Sequence, residues 1–292
     1  GCTMNIALLG VSHWHSGMHA DAVRHAGATI CGVWDWDPDC AERFATVQDT
    51  VAVRSLDAAL VPRPDLVVVM GHPALVPSLA ETVMTADLPM LLEKPAASDT
   101  VTLERLANRA RSAGLFVAVP LANRLSPAVA ELTEPVAHAH FRIVNGPPQR
   151  YRDDGVGWVL DPSIGGGGAM RNLGIHGIDC ALSLAQGPLR IISASVARRM
   201  HASELVEDHA LVVLGDAADA LFTMAFAGNQ WLVVPGRHGS PERVLKVPVS
   251  EAIEVQRLLY AGMKAGDLRT WMRIARDYVQ WRRRVEVPAA VH

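Results

Sequence analysis

Residues 5–19 read NIALLGVSHWHSGMH, an apolar run that ends at Gly10 and passes into a helical pattern from Ser16 onwards. Where a buried strand turns into a helix, backbone N–H groups at the helix start can hold the pyrophosphate of a dinucleotide. The GxGxxG fingerprint of that turn is incomplete here, because Ser12 and His15 take the places of its second and third glycines. The sequence therefore indicates a candidate phosphate-binding turn, with an ordinary strand–helix turn as the alternative.

Short apolar runs alternate with helical segments throughout the N-terminal part of the chain. A strand that is covered by helices on both faces is almost purely apolar, as in the run DLVVVM at 65–70. The alternation predicts an α/β fold with a parallel sheet over residues 4–123. The predicted strands are 5–9, 29–34, 65–70, 90–92 and 115–119, and the predicted helices are 16–26, 39–45, 74–86 and 100–113.

The pattern changes after about Asn123, where predicted strands follow one another with few helices between them. The run AHAHFRIV at 137–144 alternates polar and apolar residues, which is typical of an antiparallel sheet with one face open to solvent or a partner. We predict a second α/β domain over residues 124–292. Its predicted strands are 136–144, 191–196, 206–214 and 220–227, with a long helix at 168–185 and terminal helices near 251–265 and 268–284 that could pack back onto the first domain.

The composition excludes several classes of function. Half of the 292 residues are hydrophobic, and 27 Lys and Arg residues stand against 30 Asp and Glu residues, which gives a net charge of −3. Such a chain can bury a large core, and its charge argues against a nucleic-acid partner. No apolar run approaches the roughly 20 residues that cross a bilayer, so no membrane partner is expected. The four cysteines form no CxxC pair and the N-terminus lacks a secretory signal, so we expect reduced thiols and a cytoplasmic protein.

Asp35 stands at the end of the predicted strand 29–34, where an acidic side chain can accept hydrogen bonds from an adenosine ribose. No arginine that could bind a 2′-phosphate follows in Trp36 and Asp37, so the sequence favours NAD over NADP. The alternative is that Asp35 only opens the turn DWDPD, since Asp and Pro are common in turns.

His13, His15 and His19 partly share one face of the first predicted helix and could suggest a metal site. The pattern offers no carboxylate or cysteine to complete the ligand set, so we predict that no metal is bound. Imidazoles that line a cofactor cleft or cap the helix are the simpler interpretation.

The motif Glu93-Lys94-Pro95 follows the predicted strand 90–92. A lysine at the carboxyl edge of a parallel sheet points into the crevice where ligands bind in this class of fold. A salt bridge at the strand end is the structural alternative, and the motif alone does not decide between them.

A second motif, at residues 165–179, reads GGGGAMRNLGIHGID. Its glycine run allows the close approach of a ligand or another chain. The helix that follows places Asn172 and His176 on one face, and Asp179 lies where it could orient the imidazole. A lone helical histidine is usually structural, but three polar residues on one face favour a site.

In the order and spacing of these motifs, the chain resembles the Gfo/Idh/MocA oxidoreductases from Met4 to about Ala227. The resemblance implies a Rossmann domain followed by an α/β domain with an open, mostly antiparallel sheet. That sheet often forms the oligomer interface, so we expect a homodimer or homotetramer. The motifs that carry the resemblance are the turn at Gly10, Asp35, Gly71-His72-Pro73, Glu93-Lys94-Pro95, Asn123-Arg124 before Pro127, Trp158 with Asp161-Pro162, and residues 165–179.

The family resemblance also implies a reaction, the transfer of a hydride between NAD and a secondary hydroxyl of a sugar, cyclitol or sugar derivative. It assigns Lys94 to the reacting hydroxyl and His176 to acid–base catalysis. Both assignments agree with elementary chemistry, because an ammonium stabilises negative charge on oxygen and histidine titrates near neutral pH. We expect the two groups to converge on one substrate oxygen beside the dinucleotide.

Asn172 departs from the family pattern, in which many members have aspartate. An amide cannot ionise, so Asn172 cannot be the base, but it can hold substrate or orient His176, and we group it with Lys94 and His176 as catalytic. The incomplete glycine fingerprint and the short C-terminal region are further departures. They leave a second function open, a catalytically weak or inactive NAD(P)-binding sensor or regulatory protein.

The resemblance and the chemistry of the side chains together define the expected binding residues. A surface loop remains the alternative for residues 151–154. The expected cofactor-binding residues are Gly10, Ser12, His13, Trp14, His15, Asp35, Trp36, Gly71, His72, Pro73, Glu93 and Lys94. The expected substrate-binding residues are Lys94, Arg124, Tyr151, Arg152, Trp158, Asp161, Asn172 and His176.

Overall fold

The computed structural model describes residues 3–126, 129, 132 and 134–227 of the chain. These residues belong to two compact units, of which the first ends at Ala122 and the second begins at Asn123. The helices predicted near 251–265 and 268–284 lie outside the described residues.

The first unit is built on a five-stranded parallel sheet with the strand order β2-β1-β3-β4-β5. Its central strands pair with Ile6 opposite Leu66 and Leu9 opposite Val69, and these side chains are fully buried. Strands covered on both faces need apolar residues throughout, which explains why their sequences do not alternate. The predicted parallel sheet is confirmed. Its strands are β1 (Asn5–Leu9), β2 (Thr29–Trp34), β3 (Leu66–Val69), β4 (Met90–Leu92) and β5 (Val117–Ala118).

Five helices connect the strands of the first unit. They are α1 (Ser16–His25), α2 (Pro38–Gln48), α3 (Leu56–Leu60), α4 (Val76–Thr85) and α5 (Thr100–Ser112). The side chains of Asp37, Ser55 and Asp99 accept hydrogen bonds from backbone N–H groups at the starts of α2, α3 and α5. Helix α3 is absent from the sequence prediction because five residues are too short to display a helical period.

The second unit contains a four-stranded sheet with the strand order β6-β9-β8-β7. Strand β8 is antiparallel to both of its neighbours, whereas β6 and β9 are parallel. A parallel pair needs a long crossover, and the chain between β6 and β9 supplies it with two helices and two further strands. The mostly antiparallel sheet is therefore confirmed, with one parallel edge. Its strands are β6 (His138–Val144), β7 (Arg190–Ala197), β8 (His209–Gly215) and β9 (Leu221–Ala227), and its helices are α6 (Pro148–Asp153) and α7 (Ala169–Leu184).

Helix α7 packs on one face of the second sheet through its glycines. A Cβ atom at Gly177 would lie 2.9 Å from the Phe226 ring, and one at Gly174 would lie 3.3 Å from it. Phe226 is buried together with Phe222 and Met224, so the glycines allow the helix to approach β9 closely. Most residues of β7 are exposed, as expected for a sheet with one open face.

Two composition-based expectations concern the membrane and the thiols. Within the described residues, no helix combines the length and the apolar character that a membrane span requires. Cys31, Cys40 and Cys180 carry free thiols, and burial raises the pKa of the Cys180 thiol to about 12. Cys180 therefore acts as a small apolar side chain on α7, not as a nucleophile.

Candidate active site

The turn between β1 and α1 is fixed by Gly10. This glycine has a φ of +77°, and a Cβ atom there would overlap the carbonyl oxygen of Met70 at the end of β3. Its N–H donates a 2.8 Å hydrogen bond to the carbonyl oxygen of Trp34 at the end of β2. Only glycine combines this backbone conformation with this close approach. The contacts of Gly10 with Trp34 and Met70 place the turn at the carboxyl ends of the three adjacent strands β2, β1 and β3.

Asp35 orders that turn with both of its carboxylate oxygens. It is 4% exposed, and it accepts a 2.7 Å hydrogen bond from Ser12 N–H and a 2.9 Å hydrogen bond from Asp37 N–H. The turn-forming interpretation of Asp35 therefore holds. Each carboxylate oxygen can accept more than one hydrogen bond, so the same side chain is still able to accept one from a ribose hydroxyl.

Trp36 covers the glycines at the ends of two strands. Its ring would lie 3.0 Å from a Cβ atom at either Gly10 or Gly71. Gly71 has a φ of +141° and begins the Gly71-His72-Pro73 segment just beyond β3. Burial lowers the pKa of the His72 imidazole, which favours its neutral form. The structure therefore brings Gly71 next to the first turn, and the binding of the cofactor by this segment stays a prediction.

The turn fits a dinucleotide in part. Gly10 and Asp35 occupy the places that the fold requires, but Ser12, His13 and His15 already donate their N–H groups to acceptors within the unit. In the first turn of α1, Ser16 N–H and His19 N–H also donate hydrogen bonds, to the carbonyl oxygens of His13 and His15, both at 3.0 Å. A pyrophosphate at this helix start would therefore have to replace some of these hydrogen bonds. The structure brings together the predicted residues around Gly10, Asp35 and Gly71, and their role in cofactor binding stays a prediction.

Beneath this turn lies a buried carboxylate, Glu93, which directly follows β4. His15 Nδ1 lies 2.6 Å from Glu93 Oε1, and His19 Nε2 lies 3.4 Å from the same oxygen. The N–H of Lys94 donates to the other oxygen, Oε2. Burial alone would raise the pKa of Glu93, but the charge and hydrogen bond of His15, the hydrogen bond of His19 and the charge of His13 outweigh it and hold that pKa well below its usual range. Glu93 is therefore an ionised carboxylate that interacts with His15 of the turn and His19 of α1.

The lysine of the motif is also buried. Lys94 is 4% exposed, and its Nζ lies 5.8 Å from the centroid of the Trp14 ring. Burial lowers the pKa of its ammonium to about 8, although the negative charge of Glu93 acts in the opposite direction. A buried amine beside an aromatic face differs from the exposed strand-end salt bridge that was the alternative for this motif.

The sequence did not reveal that Glu93 and the histidines form one cluster. His13 is 3% exposed, and its burial holds the pKa of its imidazole well below the usual range despite the charge of Glu93. The argument against a metal site was the lack of a carboxylate near the three histidines, and Glu93 supplies that carboxylate. The i, i+4 spacing of His15 and His19 is the sequence signal that could have indicated a shared partner.

In the second unit, Asn172 and Tyr151 form a buried pair. Asn172 Nδ2 donates a 3.0 Å hydrogen bond to Tyr151 Oη, and Asn145 Nδ2 donates one of 3.1 Å to the same oxygen. Burial raises the pKa of the Tyr151 hydroxyl, while these hydrogen bonds act in the opposite direction. The surface-loop alternative for 151–154 is wrong for Tyr151, which is 5% exposed in α6; Arg152 and Asp153 are exposed but also belong to α6, and Asp154 is exposed just after it. His176 is half-buried one turn further along α7.

Two predicted substrate contacts have structural partners. Arg124 lies in a short 3₁₀ helix, Ala122–Leu125, and holds the Asp179 carboxylate through Nε at 2.8 Å and through Nη2. Both side chains of this ion pair are largely buried. Asp161 accepts 2.8 Å and 2.6 Å hydrogen bonds from the N–H and hydroxyl of Ser163, and these bonds lower the pKa of its carboxyl. Asp161 therefore closes a turn after the 3₁₀ helix that contains Trp158.

The glycine run before α7 accommodates another part of this chain. A Cβ atom at Gly168 would overlap the carbonyl oxygen of Glu207. The Glu207 carboxylate accepts hydrogen bonds of 3.0 Å from Gly168 N–H and 2.9 Å from Met170 N–H. It caps the start of α7, so the helix terminus is satisfied from within the unit. No local pattern links residues 168 and 207, and sequence analysis missed this contact.

The comparison with known families agrees with this arrangement. Residues 4–121 match the family model described as the oxidoreductase family with an NAD-binding Rossmann fold, and residues 135–240 match the model for the Gfo/Idh/MocA C-terminal domain. The chain belongs to the Gfo/Idh/MocA family. It is therefore an oxidoreductase of an NAD(P)-binding family, and the predicted membership is confirmed. No curated protein matches the chain significantly in sequence.

Solved structures of Gfo/Idh/MocA-type oxidoreductases share the fold. UDP-N-acetylglucosamine 3-dehydrogenase GnnA from Acidithiobacillus ferrooxidans is 19% identical, with 98% of this chain and 99% of that chain covered and a TM-score of 0.73. GenD2 from gentamicin A biosynthesis, in complex with NAD, is 20% identical, with 96% and 92% covered and a TM-score of 0.73. A variant of KijD10, a 3-ketoreductase from Actinomadura kijaniata, in complex with TDP-benzene and NADP, is 16% identical, with 95% of each chain covered and a TM-score of 0.75.

Proposed function

We propose that the chain is an NAD-dependent dehydrogenase that acts on a secondary hydroxyl of a sugar, cyclitol or sugar derivative. The observation that carries the proposal is the buried amine of Lys94, which follows β4 and lies beside Trp14 of the dinucleotide turn. Burial of an amine costs free energy, so Lys94 does not stabilise the fold by its charge. A buried amine with a lowered pKa is typical of a functional site.

The proposed role of Lys94 is to bind the reacting hydroxyl. Its ammonium donates a hydrogen bond to the oxygen and stabilises the negative charge that develops there as the proton leaves. His176 accepts that proton, and Asn172 with Tyr151 fixes the surroundings of the substrate. When bound, the cofactor supplies the acceptor for the hydride of the carbinol carbon. That Lys94 of the first unit and His176 of the second act on one oxygen remains a prediction.

Asp35 supports NAD over NADP. Its buried carboxylate would accept a hydrogen bond from a ribose 2′-hydroxyl, whereas a 2′-phosphate would bring a second negative charge close to it. Among the structural neighbours, GenD2 is in complex with NAD and KijD10 with NADP, so the preference depends on this chain's own residues.

The sugar substrate class is supported by the names of the neighbours. GnnA is a dehydrogenase of UDP-N-acetylglucosamine, and KijD10 is a 3-ketoreductase in complex with a TDP derivative. We infer that nucleotide-linked sugars belong in the substrate panel beside free sugars and cyclitols. We also infer a homo-oligomer formed through the open face of the second sheet, where Leu211 is 58% exposed and Ile192 is 45% exposed.

Turnover with such a panel tests the proposal. We expect NADH absorbance to rise with at least one sugar, cyclitol or nucleotide sugar, and Lys94→Met to abolish the rise while NAD affinity changes little. Arg54→Met is the matched control for the loss of a positive charge, because the Arg54 side chain is 93% exposed. Equal losses of turnover and NAD affinity in Lys94→Met would instead assign Lys94 a structural role.

One observation favours a second candidate, a NAD(P)-binding sensor without turnover. Asn172 cannot ionise, and its amide already binds Tyr151. In that case NAD quenches the protein fluorescence, but no member of the panel produces NADH. The same two measurements therefore separate the enzyme from the sensor.

A further inference from the structure

Three side chains beneath the first turn form a compact set of metal-binding groups. His13, His15 and Glu93 each offer one ligand atom, and these atoms all lie within 4.8 Å of one another. His13 and Glu93 are almost fully buried, whereas the side chain of His15 is 29% exposed. The cluster is therefore enclosed on the side of the sheet and reachable through His15.

Two imidazoles and one carboxylate are the donor set of many three-ligand zinc sites, in which a water or a substrate takes the fourth position. Ligand atoms that share a tetrahedral zinc at about 2.0–2.2 Å lie roughly 3.3 Å apart. The 2.6 Å between His15 Nδ1 and Glu93 Oε1 is shorter than that value, and no two of the three ligand atoms are more than 4.8 Å apart. An ion at the centre of the cluster would therefore require His15 Nδ1 and Glu93 Oε1 to move apart by several tenths of an ångström.

The surroundings of the cluster also suit a metal. His19 is fully buried, and its Nε2 lies 3.4 Å from Glu93 Oε1. Carboxylate ligands in metal sites are commonly held by such a further hydrogen-bonding group, which fixes their orientation. His13 Nδ1 accepts a 3.1 Å hydrogen bond from His15 N–H, so His13 would coordinate through Nε2.

We propose that His13, His15 and Glu93 bind a divalent transition-metal ion of the zinc class, with His19 as a positioning residue for Glu93. The ion would hold the turn that follows β1 against the end of β4. This binding requires neither cofactor nor substrate, so it goes beyond the proposed dehydrogenase activity and does not depend on it.

A cobalt titration of the full chain tests the site. The protein is stripped with a chelator, freed of it by gel filtration, and titrated with Co²⁺, whose visible absorption reports a low-symmetry site with nitrogen and oxygen ligands. We expect a band that saturates at one ion per chain and disappears when Zn²⁺ is added. Calorimetry with Zn²⁺ alone gives the Kd for each variant.

The variants separate ligands from neighbours. We expect His15→Ala and Glu93→Gln to abolish the cobalt band, and His19→Asn to raise the Kd for Zn²⁺ roughly 10–100-fold. His25→Ala is the matched control, because His25 lies on the same helix, is exposed, and has its Nδ1 within 2.8 Å of the carbonyl oxygen of Asp21. We expect it to bind the metal like the unchanged chain.

Several outcomes would overturn the metal site. The unchanged chain could give neither a cobalt band nor heat with Zn²⁺, which would make the cluster a hydrogen-bonded support for Lys94. If the unchanged chain, His15→Ala and Glu93→Gln bind the metal equally well, the ion lies elsewhere. The same conclusion follows if His25→Ala loses as much metal binding as His15→Ala does. If Glu93→Gln does not fold, as judged by circular dichroism, His15→Ala still decides, because it changes a partly exposed side chain.

Discussion

Replacement of Glu207 by alanine should loosen the start of α7 and disturb the polar residues that this helix presents. The Glu207 carboxylate accepts hydrogen bonds from Gly168 N–H at 3.0 Å and Met170 N–H at 2.9 Å. Asn172 lies in the same turn, since its N–H donates to the carbonyl oxygen of Gly168 at 2.9 Å. Fraying of this turn would therefore separate Asn172 from Tyr151.

The expected loss of stability follows from these contacts. A hydrogen bond to a charged group is worth about 1.5–3 kcal/mol in a protein, and loss of a helix cap costs about 0.5–2 kcal/mol. Water can replace part of the interaction because Glu207 is only half-buried. We expect Glu207→Ala to lower the free energy of unfolding by about 2 kcal/mol, and Glu207→Gln by about 1 kcal/mol, since the amide keeps one acceptor oxygen but loses the charge.

Urea unfolding followed by circular dichroism measures this loss, and hydrogen exchange of the amides of Gly168 and Met170 shows whether it is local. Glu204→Ala is the matched control, because Glu204 forms its ion pair with the exposed Arg152 at 2.7 Å, which is worth about 0–1 kcal/mol. The reasoning fails if Glu207→Ala is as stable as Glu204→Ala, or if the two amides exchange as slowly as in the unchanged chain.

The remaining predictions concern cofactor choice and packing. Asp35→Asn should improve NADP binding relative to NAD by at least ~10-fold, or about 1.4 kcal/mol, because a negative charge near the 2′-phosphate is removed. Fluorescence titration with both cofactors measures the two Kd values, and an unchanged ratio of these values would refute the prediction. Gly177→Ala should destabilise the chain by about 1–3 kcal/mol in a thermal melt, whereas Gly17→Ala, with open space around the new methyl group, should stabilise it by about 0.5–1 kcal/mol; equal effects would contradict the packing. Arg124→Met should cost about 3–5 kcal/mol in urea unfolding because it leaves the Asp179 carboxylate buried without its ion pair, and a loss below 1 kcal/mol would disprove that role.

Local patterns in the sequence were sufficient for most of the fold. The bounds of β1, β2 and β4 agree with the prediction because each is a mainly apolar run followed by a turn residue or a charged residue. Helices α3 and α6 were missed because five or six residues show no reliable period. The parallel pairing of β6 with β9 depends on the path of the chain between them, which no local pattern records.

The candidate site divides in the same way. Gly10 and Asp35 could be predicted because each stands at a fixed place after a strand. The contacts of Glu93 with His15 join residues 78 positions apart, and the ion pair of Arg124 joins residues 55 positions apart. Such pairs form only when the whole unit is folded, so sequence analysis placed these residues near a site without assigning their partners.

The helix α7 motif shows why a short sequence could still indicate a function. At about 100° per residue, Asn172, His176 and Asp179 share one side of the helix, and Gly174 and Gly177 fall on the opposite side. The glycines face the Phe226 ring, where a side chain would push the helix away from β9. One stretch of sequence therefore specifies both the close packing that fixes the helix and the polar face that it presents. Enlarging Gly177 should accordingly impair activity as well as stability, even though no atom of that residue belongs to the proposed chemistry.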